Sequence, residues 1–307
     1  VDTTAGDAAA SNTTAAPRTT TTAADLPPSP LNGMGVEEAA AMERRVIAVK
    51  IDNHWEARPQ SGIEQADAVY ELLVEGGLTR FIALFHHSDT EFLGPIRSGR
   101  PTAPTLVKYL GAPLQISGAQ PWVSGIIANY GVDLLGDNGN TTFRIGTRRA
   151  PHNLYGSTLS MRDEADRRGY PDDPPAQPIF NFGEPTPGDD GATIVNLDWS
   201  NMPVVRWEWT GSEYIRFNGD KPHNWLALPD EDNSAEGTES SEETDTEDSS
   251  ESSTTTQPED LEHQIAADVL VVITATKYWA SSSSSMLFSR ASALVISRYC
   301  TIISETS

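Results

Sequence analysis

The residues best suited to chemistry in this chain sit in short loops rich in glycine and proline. GPIRSGRP carries Arg97 and Arg100, and APHNLY carries His152, Asn153 and Tyr155. IDNH supplies Asp52 and Asn53, ARPQSG supplies Arg58, and VEGGLTRF holds Glu75 and Arg80 on either side of a glycine pair. A guanidinium is a planar fork of donors that fits a phosphate or a carboxylate, and a helix beginning behind the arginine loop would add free N–H groups and partial positive charge. Arg97 and Arg100 therefore read as an anion cradle. They read equally well as loop pins paired with Asp52, Glu75 or Asp67. His152, with Asn153 and Tyr155, could shuttle a proton and hydrogen-bond a ligand, because imidazole titrates near neutrality. The plainer reading is a hydrogen-bonded loop histidine. Glu75 and Arg80, five positions apart across a tight turn, could form a structural ion pair.

Other chemistries lack their signatures. His54, His86 and His87 match no zinc spacing, so no metal is expected, and no cofactor either. There is no G-x-S-x-G elbow, no G-x-x-x-x-G-K phosphate loop and no G-x-G-x-x-G fingerprint. The tryptophans of VVRWEWT alternate with polar residues and read as one packed strand face.

The elements that must position these loops follow from the apolar pattern. VIAVKID (46–52) reads as a buried strand. AVYELLVE (68–75) and LTRFIALFHH (78–87) flank Gly76 and Gly77 and read as an antiparallel hairpin, since a Gly-Gly pair supplies the positive φ values of a tight turn. TAPTLVKYLG predicts a short helix with Thr102 as N-cap, APLQISG a buried strand, PWVSGIIANYG a helix ended by Gly131, and TLSMRDEADRRG a surface helix. The alternation implies an α/β layer structure whose ligand crevice lies at strand ends. After PDDPPAQP, with a boundary placed between residues 171 and 190, the runs ATIVNLD, PVVRWEWT, SEYIRFNG and ADVLVVIT have the texture of antiparallel β structure.

The chain has 307 residues and a net charge of −23, long enough for two modest domains. Residues 230–262 hold fourteen acidic residues and no Lys or Arg, which predicts a solvated, disordered insertion between strands. Residues 1–34, rich in Thr, Ala and Pro, read as a disordered stalk of the kind that follows an export signal or a lipid-bearing cysteine. Setting these two segments aside leaves −7, while residues 94–155 carry a local +4. So acidic a chain is a poor partner for nucleic acid, whereas a small anion docking in the basic segment is compatible with it. The lone Cys300 excludes an intrachain disulfide and a cysteine-based zinc site.

AVKIDNHWEARPQSGIEQADAVYELLVEGGLTRFIALF, then GPIRSGRP, then RRAPHNLY resemble the YerB-like family of bacterial lipoproteins, a two-part domain family whose function is not established. The resemblance covers residues 35–229; WTGSEYIRFNGDKPHNW and ADVLVVIT are similar to parts of that family's C-terminal domain, and the tail from Thr274 departs from its pattern. It implies an exported protein, membrane-associated only through a lipid anchor that lies outside this sequence.

The expectation is thus an α/β (α+β possible) N-terminal domain with a mixed sheet at 35–180, followed by a smaller β-rich C-terminal domain at 191–307. Its function would be to bind a small anionic ligand or an envelope protein through the loop face of Asp52, Asn53, Arg58, Glu75, Arg80, Arg97, Arg100, His152, Asn153 and Tyr155. The alternative is an envelope phosphotransferase acting on lipid-pyrophosphate-linked glycans, in which arginines hold the pyrophosphate and a carboxylate such as Asp52 or Glu75 holds magnesium.

Overall fold

The computed structural model describes residues 26–182, 193–198, 204–211 and 213–226 in full, together with the backbone of strands within 262–275 and 291–297. Residues 1–25, the acidic run from 230 to 261, and Cys300 lie outside the described residues.

The centre of the first sheet is β1 (Ile47–Asp52), buried at all six positions. A strand covered on both faces needs no polar alternation, which is why IAVKID reads as a nearly continuous apolar run. β2 (Ala68–Leu73) and β3 (Thr79–Phe85) form the expected hairpin, and both turn glycines are left-handed, Gly76 at φ 73° and Gly77 at φ 77°. β3 pairs antiparallel with β1, placing Arg80 opposite Asp52. The chain then passes through α1 (Ala103–Val107) to β4 (Leu114–Gln115), and through α2 (Pro121–Asn129) to β5 (Leu134–Leu135). β4 and β5 run parallel to β1, giving a mixed sheet of order β2-β3-β1-β4-β5.

One face of the sheet packs Val46, Ala48, Tyr70, Leu72, Ile82 and Leu84 against Val107 of α1 and Val123 and Ile127 of α2. Leu31 joins this cluster and is fully buried. The fold therefore includes residues before 35, and the last residues of the expected stalk belong to it. The other face gathers Ile47, Val49, Ile51, Phe81 and Phe85 with Met161 of α3 (Thr158–Arg167). Arg162 ties α3 down, pairing with Asp89 at 2.9 Å and donating to the carbonyls of Arg45, Phe85 and His86. Between α2 and α3 lies a small hairpin, β6 (Thr142–Arg144) with β7 (Leu154–Gly156).

The second sheet is antiparallel, of order β11-β10-β9-β8, from β8 (Ile194–Leu197), β9 (Val205–Trp209), β10 (Tyr214–Asn218) and β11 (Lys221–Pro222). Along β9 Val205 and Trp207 are buried, as the alternation of VVRWEWT predicts, and both enter the cluster on the second face of the first sheet. The two sheets thus share one core. A buried polar chain joins them as well: Glu71 accepts from Arg216 at 2.8 Å, Arg216 donates to His223 Nδ1 at 2.6 Å, and His223 Nε2 lies 2.7 Å from Gln60 Oε1.

Because a guanidinium can only donate, His223 Nδ1 must be the acceptor, and its Nε2–H goes to Gln60. That tautomer is neutral, and burial, followed by the Arg216 and Arg58 charges, holds the His223 pKa well below 6.5. Below pH 6.5 the unfolded chain takes a proton here that the folded chain refuses, so this contribution to stability is present above 6.5 and is lost as the pH falls. Replacing His223 by Gln, which does not titrate, should flatten the acid limb of the stability profile by up to about 1.4 kcal/mol per pH unit. Urea denaturation from pH 5 to 8 reads the slope; one identical to that of the parent chain would refute the neutral histidine.

Candidate anion-binding crevice

β1 and β4 pair only through Ala48 and Val49. Beyond that point the GPIRSGRP loop wedges between them: Asp52 N–H donates to Pro95 O at 2.9 Å, Arg97 N–H to Lys50 O at 2.8 Å, and Ser117 N–H to Arg97 O at 3.1 Å. The arginine loop is thereby held at the carboxyl ends of two parallel strands, the place where open α/β sheets form a ligand crevice.

Asp52, almost fully buried, is the hub. Its Oδ2 lies 3.1 Å from Arg97 Nε and 2.9 Å from His152 Nδ1, while Arg80 Nε stands 3.9 Å from Oδ1. Arg80 also donates to Ser98 O at 3.1 Å, and burial, then the neighbouring Arg100 charge, brings its pKa down to about 10, leaving it cationic at neutral pH. Arg100 Nε pairs with Glu75 Oε2 at 2.7 Å. The expected Glu75–Arg80 pair is therefore replaced by Glu75–Arg100 and a longer Arg80–Asp52 contact. Register explains the exchange: Arg80 lies opposite Asp52 on β1, and Glu75, in the hairpin turn, reaches toward the arginine loop instead.

Beside Arg100 opens a cavity of about 500 Å³ lined by Glu75, Ser98, Arg100, the segment 118–120, and Trp122 and Val123 of α2. Gln120, the N-cap of α2, contributes no side-chain cap, so the first-turn N–H groups are free of one, and Trp122 is 60% exposed. Lys50 lies two residues before Asp52 on the same face of β1, wholly buried, with no hydrogen-bond partner for Nζ among the described residues. Burial, then the Arg80 and Arg100 charges, pushes its pKa well below 10.5. The sequence reading did not single out Lys50, because inside an apolar run a lysine gives no sign that it points inward.

The remaining candidates do other work. Arg58 donates from Nε to Asn53 Oδ1 and from a terminal nitrogen to Asn53 O, both at 3.0 Å, and Asn53 in turn donates to Thr79 Oγ1 at 2.7 Å. Both brace the strand ends from behind. Asn153 turns away to accept from Arg144 at 2.9 Å. Tyr155 is completely buried, its ring 4.6 Å from that of Phe92, because APHNLY is already strand β7 from Leu154 onward. Of the ten residues proposed for one loop face, Arg80, Arg97 and His152 gather around Asp52, Glu75 and Arg100 pair beside the cavity, and Asn53, Arg58, Asn153 and Tyr155 make other contacts.

The histidines also sort differently from their sequence grouping. His86 and His87 lie along a loop whose N–H groups donate to Asp67, and His87 Nε2 is 3.0 Å from Asp67 Oδ1. His54 instead stacks on His152, with ring centroids 5.0 Å apart, and the two lie with Glu56 in one cluster.

Residues 31–171 match the model of the N-terminal domain of a protein family of unknown function, DUF3048. The "Putative lipoprotein YerB" of Bacillus subtilis (strain 168) is 34% identical over 145 residues, 46% of this chain and 44% of the relative, so the match spans less than half the length of that protein. The crystal structure of YerB from Bacillus subtilis is similar with a TM-score of 0.54 and 30% identity, covering 62% of this chain and 66% of that one. Among the described residues no helix is long and apolar enough to cross a membrane.

Proposed function

With residues 31–171 belonging to the DUF3048 N-terminal domain family, we propose that this chain is an exported cell-envelope protein, lipid-anchored as the name of its YerB relative implies for that protein, which binds the phosphate or carboxylate group of a small ligand in the crevice beside Arg100. The observation that carries the reading is the cavity itself: a guanidinium, the uncapped start of a helix and an exposed indole line one space of about 500 Å³. The first two attract an anion, and the third offers a flat apolar surface to whatever bears it. Glu75 supports the same reading. Its carboxylate is 70% exposed, sits on the hairpin turn and occupies Arg100 as a ligand anion would. It is a competitor that a bound anion displaces.

The phosphotransferase alternative needs a carboxylate free to hold magnesium beside the arginines. Asp52 is engaged by Arg97 and His152, and Glu75 by Arg100. Both arrangements favour binding over transfer.

Titration of the full chain with inorganic pyrophosphate, followed by calorimetry and by the fluorescence of Trp122 against a Trp122→Phe control, tests the proposal. Arg100→Ala should weaken binding by about 1.5 to 3 kcal/mol, the loss of a charge-assisted contact. Glu75→Gln should tighten it by removing the competitor. Absence of saturable binding, or binding indifferent to both changes, would sink the reading.

A further inference from the structure

We propose that His54, Glu56 and His152 form a binding site for one divalent cation of the zinc class, with Asp52 as the outer carboxylate that orients His152. The three residues come from two loops nearly a hundred positions apart: His54 and Glu56 from the turn after β1, around the short helical turn Trp55–Ala57, and His152 from the approach to β7. One ligand atom from each lies within 4.8 Å of the other two. Glu56 Oε2 is 3.4 Å from His152 Nε2 and 3.5 Å from His54 Nδ1. A tetrahedral zinc ion with bonds of about 2.0 to 2.1 Å holds its ligand atoms about 3.3 to 3.4 Å apart, so two edges of the triangle already have the required length. The third edge, from His54 to His152, is no longer than 4.8 Å, and His54, 20% exposed at its side chain, must turn to close it.

The outer arrangement points the same way. His152 Nδ1 lies 2.9 Å from Asp52 Oδ2, and since an ionised carboxylate accepts, a ring proton sits on Nδ1 and Nε2 is the atom turned to Glu56, the one left to ligate a cation. This carboxylate–histidine pairing fixes the tautomer and raises ligand basicity in metal sites. His54 Nδ1 accepts the Glu56 N–H at 3.2 Å and so carries no proton; it becomes a ligand when the ring turns that lone pair from the N–H to the cation. Two imidazoles and one carboxylate suit zinc, cobalt or nickel far better than magnesium or calcium, which prefer all-oxygen shells. Glu56 is largely exposed, so a cation here would keep at least one coordination position open to solvent, as catalytic rather than structural zinc sites do.

The test uses the full chain, stripped with a chelator and titrated with Zn²⁺ by calorimetry, and with Co²⁺ by its visible absorption. The expected result is one equivalent bound, with the Co²⁺ spectrum of a four- or five-coordinate ion. Glu56→Gln should lower affinity at least about tenfold, and Asp52→Asn, which leaves all three ligands in place, by about 10- to 100-fold. His152→Ala should abolish binding. Should that variant fail to fold, Glu56→Gln decides alone, because Glu56 is exposed and its backbone turn is untouched. No uptake at micromolar Zn²⁺, or uptake unchanged by Glu56→Gln, would overturn the proposal.

Discussion

Truncating Glu71 to alanine is expected to cost about 3 to 5 kcal/mol of stability, the range for removing one partner of a buried ion pair. Glu71 and Arg216 are both essentially inaccessible to water, 0% and 2% exposed at the side chain, and 2.8 Å apart. The loss comes less from the missing attraction than from the guanidinium left behind. Among the described residues Arg216 would keep His223 and Asn218 as hydrogen-bond partners and the Phe81 ring beneath it, none of which neutralises it. Equilibrium urea unfolding measures the effect. The informative control is the double variant Glu71→Leu with Arg216→Met, which removes both charges and should recover most of the loss, because apolar replacement of a whole buried pair is often neutral. A single-variant loss below about 1 kcal/mol would mean that water reaches the pair.

Trp207→Ala should be comparably severe, about 3 to 5 kcal/mol, through lost apolar burial and the cavity that remains. Trp207 is fully buried and packs in the cluster containing Ile47, Val49 and Phe81. Its indole N–H has no partner among the described residues. Phenylalanine removes that orphan donor while keeping most of the apolar area, so Trp207→Phe should cost markedly less than alanine. Similar losses for both would show that the indole nitrogen is satisfied after all.

How much of this could be read from residues alone depends on the distance over which each feature is specified. β1, the hairpin and its two left-handed glycines, and α2 are local: an apolar run, a Gly-Gly pair, a proline at a helix start. They lie where the sequence places them. β4 is only two residues long, although APLQISG reads as a full strand, because the arginine loop takes over the edge of β1 that β4 would otherwise have extended along. The crevice was half legible. Arg97, Arg100 and Asp52 announce themselves by type and loop, but which carboxylate each arginine meets is set by strand register and by a hairpin turn leaning across the sheet edge. Gln60, His223, Arg216 and Glu71 were not legible as a unit at all, since each reads as an ordinary polar residue until the second sheet brings them together. His54 and Glu56 did carry a signal, two ligand types at i and i+2 after a strand, but their partner His152 is 98 positions further on from His54.

The shared core also bears on how the chain can be divided. A recombinant piece cut to the limits of the family match would retain every strand of the first sheet, and would look complete by that standard. It would nonetheless bare the apolar surface that Val205 and Trp207 cover, and leave the Glu71 carboxylate facing its former cation's place. Surfaces of that kind drive self-association. The cooperative folding unit therefore extends through β10 at least, and a boundary drawn from sequence similarity is not where the polypeptide can be parted without aggregation.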